Sequence, residues 1–381
     1  MTIYLIFLVA LCNVTCLRAS RVIVSLFALD LGAPQFWVGV LIATYALFPA
    51  LLALYAGKLS DRLGPRLPMV VGSCGLIAGL LLPAAIPRLP ALYVSAALFG
   101  LSYVFYHVSV QNLLGALTAG DSRTRVFSNY SLMIAIGGFI GPLCAGFLID
   151  QAGWRWAYLS LAAVAVVPVV TQLVSSKLRE ASRPQPKSGS QQDRKEDAQS
   201  LFANASLRST LITSGMVLTG TDLFQFYMPI YGHSIGLSAS AIGTILSMVA
   251  AAAFLVRVVL PAMVRKAGEV ELLTWSLFLG GATYLLFPLL HDTTWLALAG
   301  FMLGIALGCG QPLSMMLTYA HSPQGRSGEA LGLRLTINNF THIAVPVVFG
   351  SIGSAFGVAP VFWVNALMLA GGGALNRSAR G

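Results

Sequence analysis

The ten residues Gly57–Arg66 read GKLSDRLGPR. They are polar and glycine-bearing, and apolar runs lie on both sides, each near the roughly 20 residues that a bilayer crossing needs. Asp61, Arg62 and Arg66 put charge where a hairpin between two helices meets water, while Gly64-Pro65 stops and turns the chain. Gly57 predicts a close approach of the helix end to a neighbour. The stretch is therefore expected to be a short polar loop between two membrane helices.

Working outward, the same alternation repeats. The chain has 381 residues, 57% hydrophobic and 9% charged, against about a quarter charged in an ordinary soluble domain. Its mean hydropathy is +0.79, so lipid is the solvent for most of it. Twelve apolar runs are expected to span, at 4–28, 36–57, 68–86, 91–117, 127–149, 155–176, 208–232, 239–263, 271–290, 294–318, 330–353 and 357–375. The first run continues through a full span without a small-residue cleavage site. One long polar stretch, 182–200, is rich in Pro, Ser, Gln and mixed charge and predicts a flexible linker. The expected organisation is a six-helix half over 1–176, a cytoplasmic linker over 177–207 and a second six-helix half over 208–381.

Charge sets the orientation. With the N-terminus inside, 17 of the 23 Lys and Arg residues fall on the cytoplasmic side. Only Arg88 and Arg155 face the other way, and four basic residues lie within spans or at their ends. The net charge of +10 is thus a topology signal rather than a nucleic-acid footprint. Both termini are expected in the cytoplasm, in a multi-pass inner-membrane protein. The five cysteines all lie in apolar runs and read as small buried hydrophobes, with no cofactor or metal implied.

The chain also repeats itself. LGAPQFWVG around Gly32 matches IGLSASAIG around Gly236, an offset of 204 residues. The same offset relates Gly64 to Gly268, Gly100 to Gly304, Pro142 to Pro346, Gly146 to Gly350 and Gly153 to Gly357. One gap-free shift over five spans predicts two pseudo-symmetric halves. In the second half Asp61 has become Arg265.

The pattern of Gly57, Asp61-Arg62, Gly64 and Arg66 resembles the signature of the major facilitator superfamily between its second and third membrane helices. The family's closing basic pair is here Pro65-Arg66. In the fifth span, Gly137, Gly141-Pro142 and Gly146 form a small-residue stripe. It resembles the motif of twelve-helix drug:proton antiporters, in which a Gly-Pro lies against the other half. That subfamily's fourth-span arginine is absent, and the span offers His107, Gln111 and Asn112 instead. The resemblance implies an all-α integral membrane protein that moves solutes by alternating access, with Asp61 and Arg62 gating and Gly141 at the crossing between halves.

Polar residues inside spans are costly and mark function. Asp222 is the one deep acid, with Gln225 one turn on. Span one holds Arg18 and Arg21, spans four and ten hold His107, Gln111 and Gln311, and span eleven holds Arg334, Asn338 and His342 on one face. The 204-residue shift sets Arg18 on Asp222, and the two are expected to exchange partners as a proton binds and leaves. No nucleotide-binding loop is present, and one buried acid does not make a catalytic set, so an enzyme is not expected. The expected activity is proton-coupled efflux of a small anionic or zwitterionic organic solute by a monomer in the lipid bilayer. The alternatives are import of an organic anion or metal chelate, and a non-transporting receptor on the same fold.

Overall fold

Long uninterrupted apolar helices are the response of a backbone that lipid cannot hydrogen-bond. The computed structural model of the chain describes residues 2–118, 121–175, 178, 204–323 and 327–378. Helices α1 (Thr2–Asp30), α2 (Gln35–Leu63), α3 (Arg66–Ala85), α4 (Leu89–Ala116) and α5 (Asp121–Val174) come first. They are followed by α6 (Ala205–Ser234), α7 (Ala239–Ala267), α8 (Glu269–Leu286), α9 (Thr293–Gly308), α10 (Gly310–Ala320), α11 (Ser327–Phe356) and α12 (Val358–Ser378). No strand occurs among the described residues. The expected linker, 182–200, lies outside them.

Ten helical segments are long and apolar enough to cross a membrane, counting α9 and α10 together. One of them, Asn129–Val174, has 46 residues, or about 69 Å of helix, and crosses twice. It breaks at Gly153, whose φ of 75° and ψ of 173° leave the helical region. The helix α6 falls short of the apolar threshold because of its load of Ser, Thr, Asp222 and Gln225, yet its 30 residues are long enough to span. Among the described residues the crossings therefore number twelve, in the order the sequence predicts.

The Gly57–Arg66 stretch is only partly a loop. Residues 57–63 form the last turns of α2, and Gly64 and Pro65 alone separate α2 from α3. Lys58, Leu59 and Leu63 favour helix, and nothing breaks it before Gly64, whose φ of 78° and ψ of 156° suit glycine alone. The span expected at 294–318 is interrupted at Cys309, between Gly308 and Gly310. The Gly308 carbonyl at this break accepts a hydrogen bond from Arg257 Nε at 3.0 Å.

The internal repeat is written in the backbone. Among the described residues six glycines have positive φ: Gly32, Gly64, Gly153, Gly236, Gly268 and Gly357. They form three pairs, each separated by 204 residues. Packing repeats as well. A Cβ on Gly100 would press on the Tyr45 carbonyl oxygen, and one on Gly304 on the Val249 carbonyl oxygen, again 204 residues on. Gln172 Nε2 donates to Ser73 Oγ at 3.0 Å, tying the end of α5 to α3. Its counterpart Asn376 ties α12 to α8 by donating to the Val270 carbonyl and Thr274 Oγ1, both at 2.9 Å.

By contacts the chain divides into two units, Met1–Ser188 with Gly232–Ser247, and Gly189–Tyr231 with Met248–Gly381. In the first, two expected close approaches are relocated. A Cβ on Gly57 would meet only Val108, at 3.9 Å, so this glycine is not where helices touch. Gly72 serves that purpose, with the Ser102 carbonyl oxygen 2.6 Å from where its Cβ would be. Gly141 faces α1 of its own half, not the other half: its Cβ would lie 2.8 Å from the Thr15 carbonyl and from Arg18 Cβ. Gly137 meets Val14 and Thr15 on the same helix. One turn further on, the stripe changes partner, with Gly146 against the backbone of Ala239 and Gly243 against the carbonyl of Pro142. The first turns of α7 thereby join the first unit.

Candidate functional site

The most polar span, α6, runs beside α11. Ser214 and Asp222 on α6 are two turns apart, and Arg334 and His342 on α11 have the same spacing, so each residue meets the one 120 positions away. Gly215 faces Ile337 and Thr341 of α11, and a Cβ there would be in ordinary van der Waals contact with them, 3.5 Å from Ile337. A hydrogen bond joins His342 Nδ1 to Asp222 Oδ2. The Asp222 side chain is 13% exposed and that of His342 36%, so the histidine is the open side of the pair. Tyr284 of α8 lies within electrostatic reach of Asp222 and donates its hydroxyl proton to the Gly220 carbonyl. Nearby on α12, Asn365 is fully buried beside Tyr284.

Two turns away, about 12 Å along the helix, Arg334 is buried. Its Nε donates to Ser214 Oγ at 3.0 Å. Its Nη2 donates to the Gln311 carbonyl at 3.1 Å, to Gln311 Oε1 at 2.7 Å and to Ser314 Oγ at 2.9 Å. Between the two ion-bearing residues sits Asn338, whose Oδ1 is sealed without a partner. Gln311 and Asn338 were expected here as site residues. Ser314 beside Gln311 is also a polar position of span ten, whereas Ser214 carries no signal in a sequence rich in small polar residues.

In the first unit, Arg21 stacks its guanidinium 5.5 Å from the centroid of Tyr45. Arg18 sits on the face of α1 that meets Gly141. Gln111 and His107 share a hydrogen bond of 3.2 Å, and the imidazole stacks on Tyr103 at 4.8 Å. Asp61 is exposed at the end of α2 and accepts from Asn112 Nδ2 at 2.9 Å, joining α2 to α4. Arg66 closes the end of α5 by donating to the carbonyls of Gln172 and Leu173, at 3.0 and 2.9 Å. A residue missed from sequence is Asp150. Its two oxygens accept from the backbone amides of Ala239 and Ser240, at 3.1 and 2.7 Å, and cap the N-terminus of α7.

Among the described residues no group of His, Cys, Asp or Glu could hold a metal ion. Twelve crossings in two repeated halves, with ionisable side chains buried inside helices, define a multi-pass membrane transporter rather than an enzyme. Residues 6–346 match the sequence profile of the Major Facilitator Superfamily, and the chain belongs to that family. It is 23% identical over 320 residues to Multidrug resistance protein 1 of Bacillus subtilis (strain 168), covering 83% of this chain and 80% of that protein. It is 24% identical over 341 residues to Multidrug resistance protein MdtG of Salmonella arizonae, covering 88% and 83%. Among solved structures, a mutant of the peptide transporter POT superposes with a TM-score of 0.84 at 15% identity, covering 99% and 93%. A mutant of the nucleoside transporter NupG gives 0.81 at 15% identity over 100% of both chains. At such identities the structural likeness speaks for the fold.

Proposed function

We propose that this chain is a proton-coupled efflux transporter for small anionic or zwitterionic organic solutes, working by alternating access. The Asp222–His342 pair carries the proton reading: a partly enclosed carboxylate inside a span, hydrogen-bonded to an imidazole of the facing helix. A proton entering at the more open imidazole reaches Asp222 without crossing lipid. Protonation removes the net negative charge of the pair, and the imidazolium so formed holds the carboxylate by a charge-assisted hydrogen bond between α6 and α11. Efflux is supported by the names of the relatives, which are multidrug resistance proteins. The excess of buried arginine over buried acid supports an anionic or zwitterionic solute. Arg18, Arg21, His107, Gln111, Gln225, Gln311 and Asn338 are assigned to solute contact, and Asp61 and Arg62 to gating. The halves are 1–176 and 208–381, with termini at the cytoplasmic face of an inner membrane, and the working unit is a monomer.

The test is a solute screen in reconstituted vesicles with an imposed pH gradient. Uptake into acid-loaded vesicles of at least one organic anion or zwitterion, abolished by dissipating the gradient, is the expected result. Transport of the same solutes at equal rate without a gradient would sink proton coupling.

A further inference from the structure

Resting on the reading of the chain as a solute transporter, we infer that Arg334 is the anion anchor, binding a carboxylate or phosphate group of the solute. A buried guanidinium needs a counter-charge or a ligand. Arg334 is 6% exposed, and among the described residues its four recorded hydrogen bonds go only to neutral acceptors. No carboxylate among the described residues lies within ion-pair distance of it, and on this face the nearest described acid is Asp222, about 12 Å away and engaged by His342.

The geometry leaves donors to spare. A guanidinium has five N–H groups in a planar fork. Nε and Nη2 are committed, whereas Nη1 has no partner among the described residues and, unlike the sealed Nε of Arg21, is not closed off. Ser214 and Ser314 are both fully buried, so the acceptors that aim the fork are fixed by packing. Beside it, Gln311 Nε2 is a sealed donor with no partner, a second group that an acceptor oxygen would satisfy. Two donor groups, Nη1 of Arg334 on α11 and Nε2 of Gln311 on α10, thus have no protein acceptor assigned to them. An oxyanion supplies both the acceptor oxygens and the counter-charge, whereas a neutral amide supplies no charge and an ammonium no acceptor.

Placed with the proton pair, the anchor explains how one face can do two jobs. The anion is held two helical turns from Asp222, so a zwitterion of extended shape could set its cation toward the carboxylate, and a proton on Asp222 would compete with that cation.

Thermal unfolding of the purified full chain in uncharged detergent tests this. Sodium benzoate, inorganic phosphate and neutral benzamide are compared at constant ionic strength set with potassium chloride, and phosphatidylglycerol is added in a separate arm. Benzoate or phosphate should raise the Tm of the wild type saturably, and benzamide should not. Arg334→Gln should weaken the apparent affinity about tenfold or more, as expected for a charged hydrogen bond. Ser214→Asp keeps the arginine and supplies an internal carboxylate, so it should raise the starting Tm and lose the anion response. The inference is overturned by a wild-type Tm indifferent to both anions, by an equal response to benzamide, by a response to phosphatidylglycerol alone, or by unchanged affinity in both variants. The readout uses no gradient. Anion binding in a protein that shows no gradient-driven flux would therefore defeat the proton reading and leave this one standing.

Discussion

Asp222 and His342, 120 residues apart in sequence, share a hydrogen bond between α6 and α11. The same register brings Ser214 to Arg334 two turns away. A negative group that is partly enclosed and a positive group that is buried, each held by the opposite helix, thereby occupy one stripe of a single helix pair. Separating the two helices would break both contacts at once, which makes their spacing a variable that a proton or an anion can bias.

Asp61 sits at the far end of a different contact, accepting from Asn112 across α2 and α4. Asp61→Asn exchanges a charge-assisted hydrogen bond for a neutral one, a change of about 1–2 kcal/mol. If it acts in gating, maximal flux should fall about tenfold while half-saturation stays within a few-fold. Steady-state flux over a solute series separates the two, and an unchanged maximal rate would remove Asp61 from the switch.

Gly64 and Gly268 hold equivalent turns with φ of 78° each. Nothing lies within 4 Å of where a Cβ on Gly268 would sit, so an added methyl there costs backbone strain alone. Gly64→Ala and Gly268→Ala should each destabilise by about 1–3 kcal/mol. Thermal unfolding in detergent measures this, and equal losses at the two sites are expected from the repeat.

Gly141→Leu should fail at folding rather than at cycling, because α1 lies against it with no room for a side chain. Overpacking there costs at least about 1–3 kcal/mol, so lost yield and a lowered Tm are expected. Gly57→Ala, whose methyl would touch only Val108, should be tolerated. A stable, normally expressed Gly141→Leu protein would contradict the packing described.

Much of this was legible in the sequence. Hydropathy placed the twelve crossings, because lipid imposes length and composition on every span. The offset of 204 residues was visible in glycines, and the structure gives the reason: three pairs of them hold φ values that other residues avoid. The partners of a small-residue stripe were not legible. Gly137, Gly141 and Gly146 announce close packing but not which helix comes close, and the stripe divides between α1 and α7. Asp222 and His342 were each marked by their cost in lipid, but their pairing depends on a helix register that no local pattern encodes. Asp150 looked like an ordinary loop acid, since capping a helix 89 residues away leaves no trace in sequence spacing.

Asp150 is correspondingly testable. It caps α7 through two backbone amides, and Asp150→Ala should cost about 0.5–2 kcal/mol, with Asp150→Asn losing less. Chemical or thermal unfolding would register the difference. Equal stability in both variants and the wild type would mean that the cap contributes nothing.

The central claim is that the proton that drives transport resides on the Asp222–His342 pair. Its most direct test is Asp222→Asn in proteoliposomes, with a solute that the wild type moves followed in two modes. Gradient-driven flux should be lost, while exchange of labelled for unlabelled solute at equal pH on both sides should persist. Gradient-driven flux at the wild-type rate in Asp222→Asn would contradict the account.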